Sequence, residues 1–260
     1  MSNNSITVLI STFDPKRKKL LLRAINSIIH QSHKPKEIII ADNNVKLNNK
    51  LLVKKFNKKK NIKFKYIKYT KPGGAFAVRN FIIKNLKTNY IAFLDDDDFW
   101  HRDYLKEFNR INHNKNYDLI LTNTIFKKKN EKNKVFHIDY RDFSIEKIGL
   151  YNPGIRSSAT IVKRKSFVKV KGYDLKLYHG SADKDFLVKI LNNKMKIKII
   201  EKPTVFYTLH PNSHSTNNKL MLKSIIGYYK KHRKEISIIN KFRYAKKISY
   251  LLLKSILYKN

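Results

Sequence analysis

The chain has 260 residues, a length that fits one α/β domain with a helical appendage and is ample for a buried core. Its 57 Lys and Arg outweigh 19 Asp and Glu, giving a formal net charge of +38. The excess is mostly Lys spread over nearly every segment together with abundant Asn and Ile, as A/T-rich coding would produce, so charge alone does not point to nucleic acid. With no cysteine, disulfides and thiolate metal sites are excluded, and the lack of a leader-like N-terminus or of a run of about 18 apolar residues makes a soluble cytoplasmic protein the expectation.

Ile6 to Thr12 alternates apolar and small polar residues and predicts a first strand. Leu20, Leu21, Leu22, Ile25, Ile28 and Ile29 recur at helical spacing until Pro35 forces an end. The β-branched run Glu37 to Ala41 stops at the turn cluster Asp42-Asn43-Asn44. Leu47 to Phe56 predicts a helix, Ile62 to Tyr69 a strand, Pro72-Gly73-Gly74 a break, and Phe76 to Leu86 a helix before the apolar run Tyr90 to Leu94. Such alternation, with connections long enough for crossovers, predicts an α/β fold: a mostly parallel central sheet flanked by helices. Beyond Trp100, strands are expected at Asp118 to Phe126, at Val135 to Ile138 as a hairpin return, at Ser157 to Val162 and at Ile197 to Ile200, with a helix over Asp183 to Leu191. From about Asn217 the chain turns basic and helical, which divides it into a catalytic domain over 1–216 and a C-terminal helical extension over 217–260. In the extension Tyr244, Ile248, Leu251, Leu252 and Ser255 repeat at helical spacing among Lys246, Lys247 and Lys254, a pattern compatible with an anionic bilayer, with packing on the domain, or with self-association.

Four consecutive aspartates, Asp95 to Asp98, close the run Tyr90 to Leu94. Like carboxylates repel, and no cation flanks them in sequence. A continuing strand would send Asp95 and Asp97 to one face, roughly 6.6 Å apart along the chain. Hard oxygen ligands at a strand's carboxyl end suit Mg²⁺ or Mn²⁺, which take one or two carboxylates and leave other positions to water and phosphate. The alternative is a solvated acidic turn with Asp98 near the cap of a helix starting around His101 to Asp103. Ser11 to Asp14, Asp42-Asn43 and Asp95 to Asp98 all fall at carboxyl ends of predicted strands, where parallel sheets bind ligands.

In their order these stations resemble the family 2 glycosyltransferases, whose fold is the A-type nucleotide-sugar fold, over roughly residues 5 to 216. Val8-Leu-Ile-Ser-Thr-Phe13 is similar to the family's first strand, with Asp14 where an Asn is usual. Ile38-Ile-Ile-Ala-Asp42 is similar to its base-reading strand, and Gly73-Gly-Ala-Phe-Ala-Val-Arg79-Asn80 to its Gly then Ala-Arg-Asn signature. Phe93-Leu-Asp-Asp-Asp-Asp-Phe-Trp100 resembles its metal motif, and Gly172-Tyr-Asp174 its Gly-aromatic-Asp element. Ala182-Asp-Lys-Asp-Phe-Leu187 resembles its Glu-Asp-x-Asp-Leu-Trp segment, with Ala182 in place of the Glu.

The resemblance implies a metal-dependent inverting glycosyltransferase that carries a sugar from a nucleotide-diphosphate sugar to a hydroxyl of a glycan or lipid-linked glycan, in bacterial surface polysaccharide or lipooligosaccharide synthesis. Its cofactor would be Mn²⁺ or Mg²⁺; outside the span of the resemblance, the basic helical pattern itself admits contact of the C-terminal helices with an anionic membrane. By the same resemblance Asp97 ligates the ion, Asp95 approaches the ribose or a metal-bound water, and Asp96 and Asp98 support them. Ser11 and Phe13 line the nucleotide pocket, Phe13 being equally suited to a core. Asp42 accepts from the base or simply forms a turn. Arg79 neutralises the diphosphate or lies on the surface. Asp183 is the general base, with Asp185, two residues on, turned away on a helix. His210 contacts metal or phosphate, or is a structural histidine. Asn152 to Ser158 and the segment around Tyr178 to Gly180 would shape the acceptor pocket. Two other readings fit less well. A sugar nucleotidyltransferase needs a Gly-rich basic loop where Asp14-Pro15 stands. A nucleic-acid-binding protein, for which 15 Tyr and 15 Phe offer stacking, shows no recognised module, so no nucleic acid is expected as a partner. The dinucleotide and phosphate-loop glycine signatures are absent, and the histidines lack zinc spacing.

Overall fold

A computed structural model describes residues 4–257 apart from 45, 47, 60–61, 129, 178–179 and 210–216. Its first half alternates β1 (Ile6–Thr12), α1 (Lys18–Ile29), β2 (Glu37–Asp42), α2 (Lys50–Lys59), β3 (Lys63–Lys68), α3 (Gly74–Ile83) and β4 (Tyr90–Asp95). Next come β5 (Phe99–Trp100), α4 (Tyr104–Asn112), β6 (Leu119–Lys128), β7 (Lys134–Phe136), α5 (Ile145–Leu150), β8 (Thr160–Lys163), α6 (Arg164–Lys169), α7 (Ala182–Asn192) and β9 (Ile197–Leu209). The chain ends in α8 (Asn218–His232) and α9 (Ile238–Leu257).

All strands join one sheet in the order β3-β2-β1-β4-β8-β6-β9-β5, with β7 also on β6. The half built from β1 to β4 is parallel, as its helical crossovers require. Beyond β4 the sheet is mixed: β6 and β9 run parallel, whereas β8, β7 and β5 pair antiparallel. The parallel pattern read from the first hundred residues therefore holds for that half alone.

Alternation along β1 sorts the core. Ile6, Val8 and Ile10 join one apolar layer with Leu21 and Ile25 of α1, while Leu9 joins the other with Val78 and Ile82 of α3. The second layer continues through Phe186 and Leu187 of α7 to Ile225 and Tyr228 of α8 and to Tyr244 and Leu251 of α9. Two helical layers thus cover both faces of the sheet, and the C-terminal helices share the second layer's apolar cluster.

β1 sits between β2 and β4, so the chain leaves it toward opposite sides and a crevice opens at the carboxyl ends of β1 and β4. Gly73 sets the crevice wall. It caps α3 at φ 111, and a Cβ there would stand 2.7 Å from Ala77 Cβ, so only glycine fits this entry.

An ionic cluster fastens α7 to α8. Asp185, fully buried, lies 2.7 Å from Lys231 Nζ, 3.0 Å from His232 Nε2 and 3.3 Å from Lys189 Nζ. Burial opposes its charge, yet hydrogen bonds from His232 and Lys231 hold its carboxyl below the ordinary aspartate range. Asp185→Ala leaves those cations uncompensated and is expected to cost about 3 kcal/mol in urea unfolding, the lower end for a buried pair because Lys189 and Lys231 are partly exposed. Because the folded pKa is depressed, the native contribution is complete at neutral pH. It fades as pH falls below the unfolded value of about 3.9 and through the lower folded one, and the variant's deficit should shrink in the same acid range.

Candidate functional site

The aspartates form a turn, not a continuing strand. β4 ends at Asp95, the Asp98 N–H donates to the Asp95 carbonyl at 3.2 Å, and β5 begins at Phe99, held by antiparallel pairing to β9. Strand alternation therefore does not set the relation of Asp95 to Asp97. The helix-capping alternative fails as well: α4 starts at Tyr104 with Asp103 at its cap, and Asp98 points inward.

Each carboxylate has its own partners. Asp95 Oδ1 accepts from Arg79 Nη2 at 2.6 Å, and its backbone N–H donates to Ser158 Oγ at 3.0 Å. Asp96 accepts from Thr12 Oγ1 at 2.6 Å and from Arg17 Nη1 at 3.1 Å. Asp97 Oδ2 accepts from the same Arg17 nitrogen at 2.9 Å, and the Asp97 carbonyl from Arg23 Nη2. Asp98, 1% exposed, accepts from Ser158 Oγ at 2.6 Å and from the Thr208 N–H at 2.8 Å. Burial raises the carboxyl of Asp95 against the opposing charge of Arg79, and raises that of Asp96 to about 6. Asp98 is pushed well above the usual range by burial and by the charges of Asp97 and Asp95.

Arg17 is the residue that sequence reasoning missed. Its signal is Asp14-Pro15: Asp14 Oδ1 accepts from the Lys16 N–H at 2.9 Å, and a single 3-10 turn follows that aims Arg17 at the aspartates. Burial works against its charge, but Asp97 and Asp96 raise its pKa above the ordinary value. Thr12 and Ser158 fall within the segments Ser11 to Asp14 and Asn152 to Ser158 singled out in the sequence, but their bonds to the aspartates were not foreseen, and Arg23 was overlooked.

Two adjoining cavities meet at the turn. The first, about 500 Å³, is lined by Ser11, Phe13, Arg17, Asn43, Asp96 and Asp97, among others. The second, about 560 Å³, is lined by Gly73, Arg79, Asn152, Arg156, Asp183 and Lys184, among others. Asp95, Ala75 and Tyr207 line both. Phe13 is 65% exposed in the first cavity and so is not a core residue. Arg79, 1% exposed, sits 5.0 Å from the Phe93 ring centroid and donates to Ser157 Oγ at 2.6 Å as well as to Asp95. Asp42 stands apart from both cavities: fully buried, it accepts from Asn49 N–H at 2.9 Å, Asn49 Nδ2 at 2.6 Å and Tyr66 OH at 3.0 Å, while Asn43 beside it faces the first cavity. His210, Tyr178 and His179 lie outside the described residues.

Asp183, in the first turn of α7, opens onto the second cavity, with its carboxyl raised by burial against the opposing charge of Lys184. Asp185, on the same helix, faces α8 instead.

Among the described residues no three His, Asp or Glu side chains converge as a complete metal cage. The donor set nonetheless suits a hard divalent ion, which shares one or two carboxylates with water and phosphate oxygens. Arg17, bridging Asp96 and Asp97, supplies at this place the positive charge such an ion would bring.

The sequence profile described as Glycosyl transferase family 2 matches residues 7–204. The chain belongs to this family. An uncharacterized glycosyltransferase of Methanocaldococcus jannaschii is 26% identical over 88% of the chain and 79% of its own length. The poly(ribitol-phosphate) beta-N-acetylglucosaminyltransferase TarP of Staphylococcus aureus is 26% identical over 85% of the chain and 67% of its length. An uncharacterized glycosyltransferase of Rickettsia felis is 26% identical over 83% of the chain, which spans only 36% of that relative. Among solved structures, S. aureus TarS 1-349 in complex with UDP-GlcNAc superposes with a TM-score of 0.62 at 17% identity, over 98% of the chain and 73% of TarS 1-349. Family 2 membership and this likeness give the A-type fold expected from the sequence, with a helical C-terminal part.

Ser158 joins the aspartate turn to β8, because its hydroxyl bonds Asp98 and Asp95 while its carbonyl accepts from Trp100 Nε1 at 2.8 Å. Ser158→Ala strands a buried carboxyl and a backbone N–H, and is expected to cost about 1–3 kcal/mol. Denaturant unfolding followed by fluorescence of Trp100, the single tryptophan, reads the loss directly.

Proposed function

We propose that this family 2 protein is an inverting glycosyltransferase, its catalytic unit spanning residues 1–216, that uses a nucleotide-diphosphate sugar and a divalent cation to glycosylate a hydroxyl of a surface-glycan precursor. The observation that carries the reading is the junction of the two cavities: acidic residues of the turn floor one, Asp183 borders the other, and Asp95 belongs to both.

The nucleotide would lie in the first cavity, over Ser11 and Phe13 and beside Asn43. Asp42, committed to Asn49 and Tyr66, would shape the base pocket from behind. Asp97 would hold Mn²⁺ or Mg²⁺, with Asp95 beside the ribose or a metal-bound water, and the chemistry of the ion is to neutralise charge on the departing diphosphate. Arg79 would keep Asp95 ionised and in place against burial. From the second cavity Asp183 would take the proton of the acceptor hydroxyl as its oxygen attacks the anomeric carbon from the side opposite the leaving nucleotide, which inverts that centre. His210 remains a candidate for the ion or the phosphates. TarS has been solved with UDP-GlcNAc, which makes that sugar nucleotide the first donor to test.

A thermal-shift panel of UDP-, GDP-, dTDP- and CMP-sugars with Mn²⁺ or EDTA should show one donor stabilising the protein in a chelator-sensitive way, together with slow donor hydrolysis. A protein indifferent to every donor and to manganese rejects the reading. Asp183→Asn should keep the donor-induced shift while turnover falls about 10²–10⁴-fold. Burial lifts the Asp183 carboxyl, so in the native enzyme the acid limb of the rate profile should sit above the usual aspartate value, with activity rising as the base ionises.

The acceptor side would meet an anionic membrane through α9. Residues 238–257 contain no acid, carry Lys241, Arg243, Lys246, Lys247 and Lys254, and expose Ile239, Phe242, Tyr250, Leu253 and Ile256. Among the described residues no helix is long and apolar enough to cross a membrane. Full-length protein should float with phosphatidylglycerol liposomes, and Phe242→Glu with Leu253→Glu should release it. Recovery of the native protein in the soluble fraction rejects surface attachment.

A further inference from the structure

The second cavity carries cations that the transfer chemistry above leaves unused. Of its charged lining residues, Arg79 and Asp95 satisfy one another at 2.6 Å. Asp183 is then the single remaining acid, facing Arg156 and Lys184. Among the described residues no carboxylate lies within ion-pair distance of either cation. Arg156 Nη1 donates to the Gly154 carbonyl at 3.1 Å, and its guanidinium lies 4.5 Å from the ring centroids of Phe126 and Phe136 and 5.3 Å from that of Tyr207. Lys184 is 8% exposed, and its ammonium has a single acceptor, the Gly149 carbonyl at 3.3 Å. Burial pushes Lys184 down to about 8 against the opposing charge of Asp183, and Lys247 adds to the lowering. One acid, Asp183, is thus set against two cations, the buried Lys184 and the half-buried Arg156.

The imbalance grows in the reaction. When Asp183 takes the acceptor's proton it loses its negative charge, and the acid left in the cavity lining is Asp95, already paired with Arg79. A neutral sugar offers nothing to offset this. An acceptor that carries its own negative group does, and a planar guanidinium held among aromatic rings is suited to a bidentate grip on phosphate or carboxylate oxygens.

Resting on the proposed transferase reading, we propose that Arg156 and Lys184 form an anion subsite that selects acceptors bearing a phosphate or carboxylate group near the reacting hydroxyl. Phosphate is the better match to two converging cations, and glucuronate against glycerol phosphate distinguishes the two anions.

Binding of sn-glycerol 1-phosphate, glycerol, glucuronate and glucose to the full chain is measured by calorimetry in 0.15 M salt, with and without UDP and Mn²⁺. One of the two anions should bind at least tenfold more tightly than its neutral counterpart, and should still do so with UDP present. The preference should be lost in Arg156→Gln and in Lys184→Met, retained in part in Arg156→Lys, and unchanged in Lys54→Met, which removes an exposed charge elsewhere on this basic surface. Equal binding of anionic and neutral probes by the native protein overturns the subsite without recourse to any variant. Retention of the preference in both Arg156→Gln and Lys184→Met also overturns it. The donor panel separates the two claims: nucleotide binding without anion preference removes the subsite alone, whereas anion binding through Arg156 and Lys184 without any nucleotide response removes the transferase reading and leaves the subsite.

Discussion

Four aspartates in one tight turn are the constraint around which the structure is arranged. Left in an apolar strand end, such a run would repel itself and take up protons. Here the turn is fixed at both ends, by β4 in the parallel half and by β5 on β9, so the carboxylates cannot spread apart. Their charge is met by residues from four separate segments: Thr12 and Arg17 after β1, Arg79 on α3, Ser158 before β8 and the Thr208 N–H on β9. The same contacts that make the turn tolerable also bring the strand ends together, so folding and site assembly are one event.

The two arginines at the turn are not equivalent. Arg79 is buried to 1%, packed against aromatic rings and bound to Ser157, so its contact with Asp95 is part of the framework. The Arg17 side chain is 27% exposed, sits on a short 3-10 turn and spans Asp96 and Asp97 at the cavity surface. The arrangement therefore sets one counter-charge in the core and a second at the cavity surface.

How much of this was legible in the sequence follows from the range of each signal. β1, β2 and β4 were read with boundaries within a residue or so, since alternation and β-branched runs are local properties. α5 and α6, six residues each, went unread because so short a helix has too few turns to show a period. The aspartate run was visible, but its geometry was not: β5 is two residues long and exists through pairing with β9, about a hundred residues away. The bonds of Asp98 to Ser158, 60 residues on, and to the Thr208 N–H, 110 residues on, were hidden by the same kind of long-range closure, and Arg17 was lost among 57 positive residues. Asp42 was visible as an acid at a strand end, whereas its commitment to Asn49 and Tyr66 depends on how the following loop folds back.

The start of α7 shows how a departure from a family pattern is absorbed. Where relatives of this pattern carry Glu, Ala182 is fully buried in the apolar layer shared by α7 and α8. A carboxylate there would need a partner, yet Lys189, Lys231 and His232 on the neighbouring turns are already engaged by Asp185. Alanine removes that demand and lets α7 pack closely, which leaves Asp183 as the one carboxylate of this segment that faces the cavity. The charged side chains left facing the cavity from this end are Asp183 and Lys184, with Arg156 across from them in the same lining.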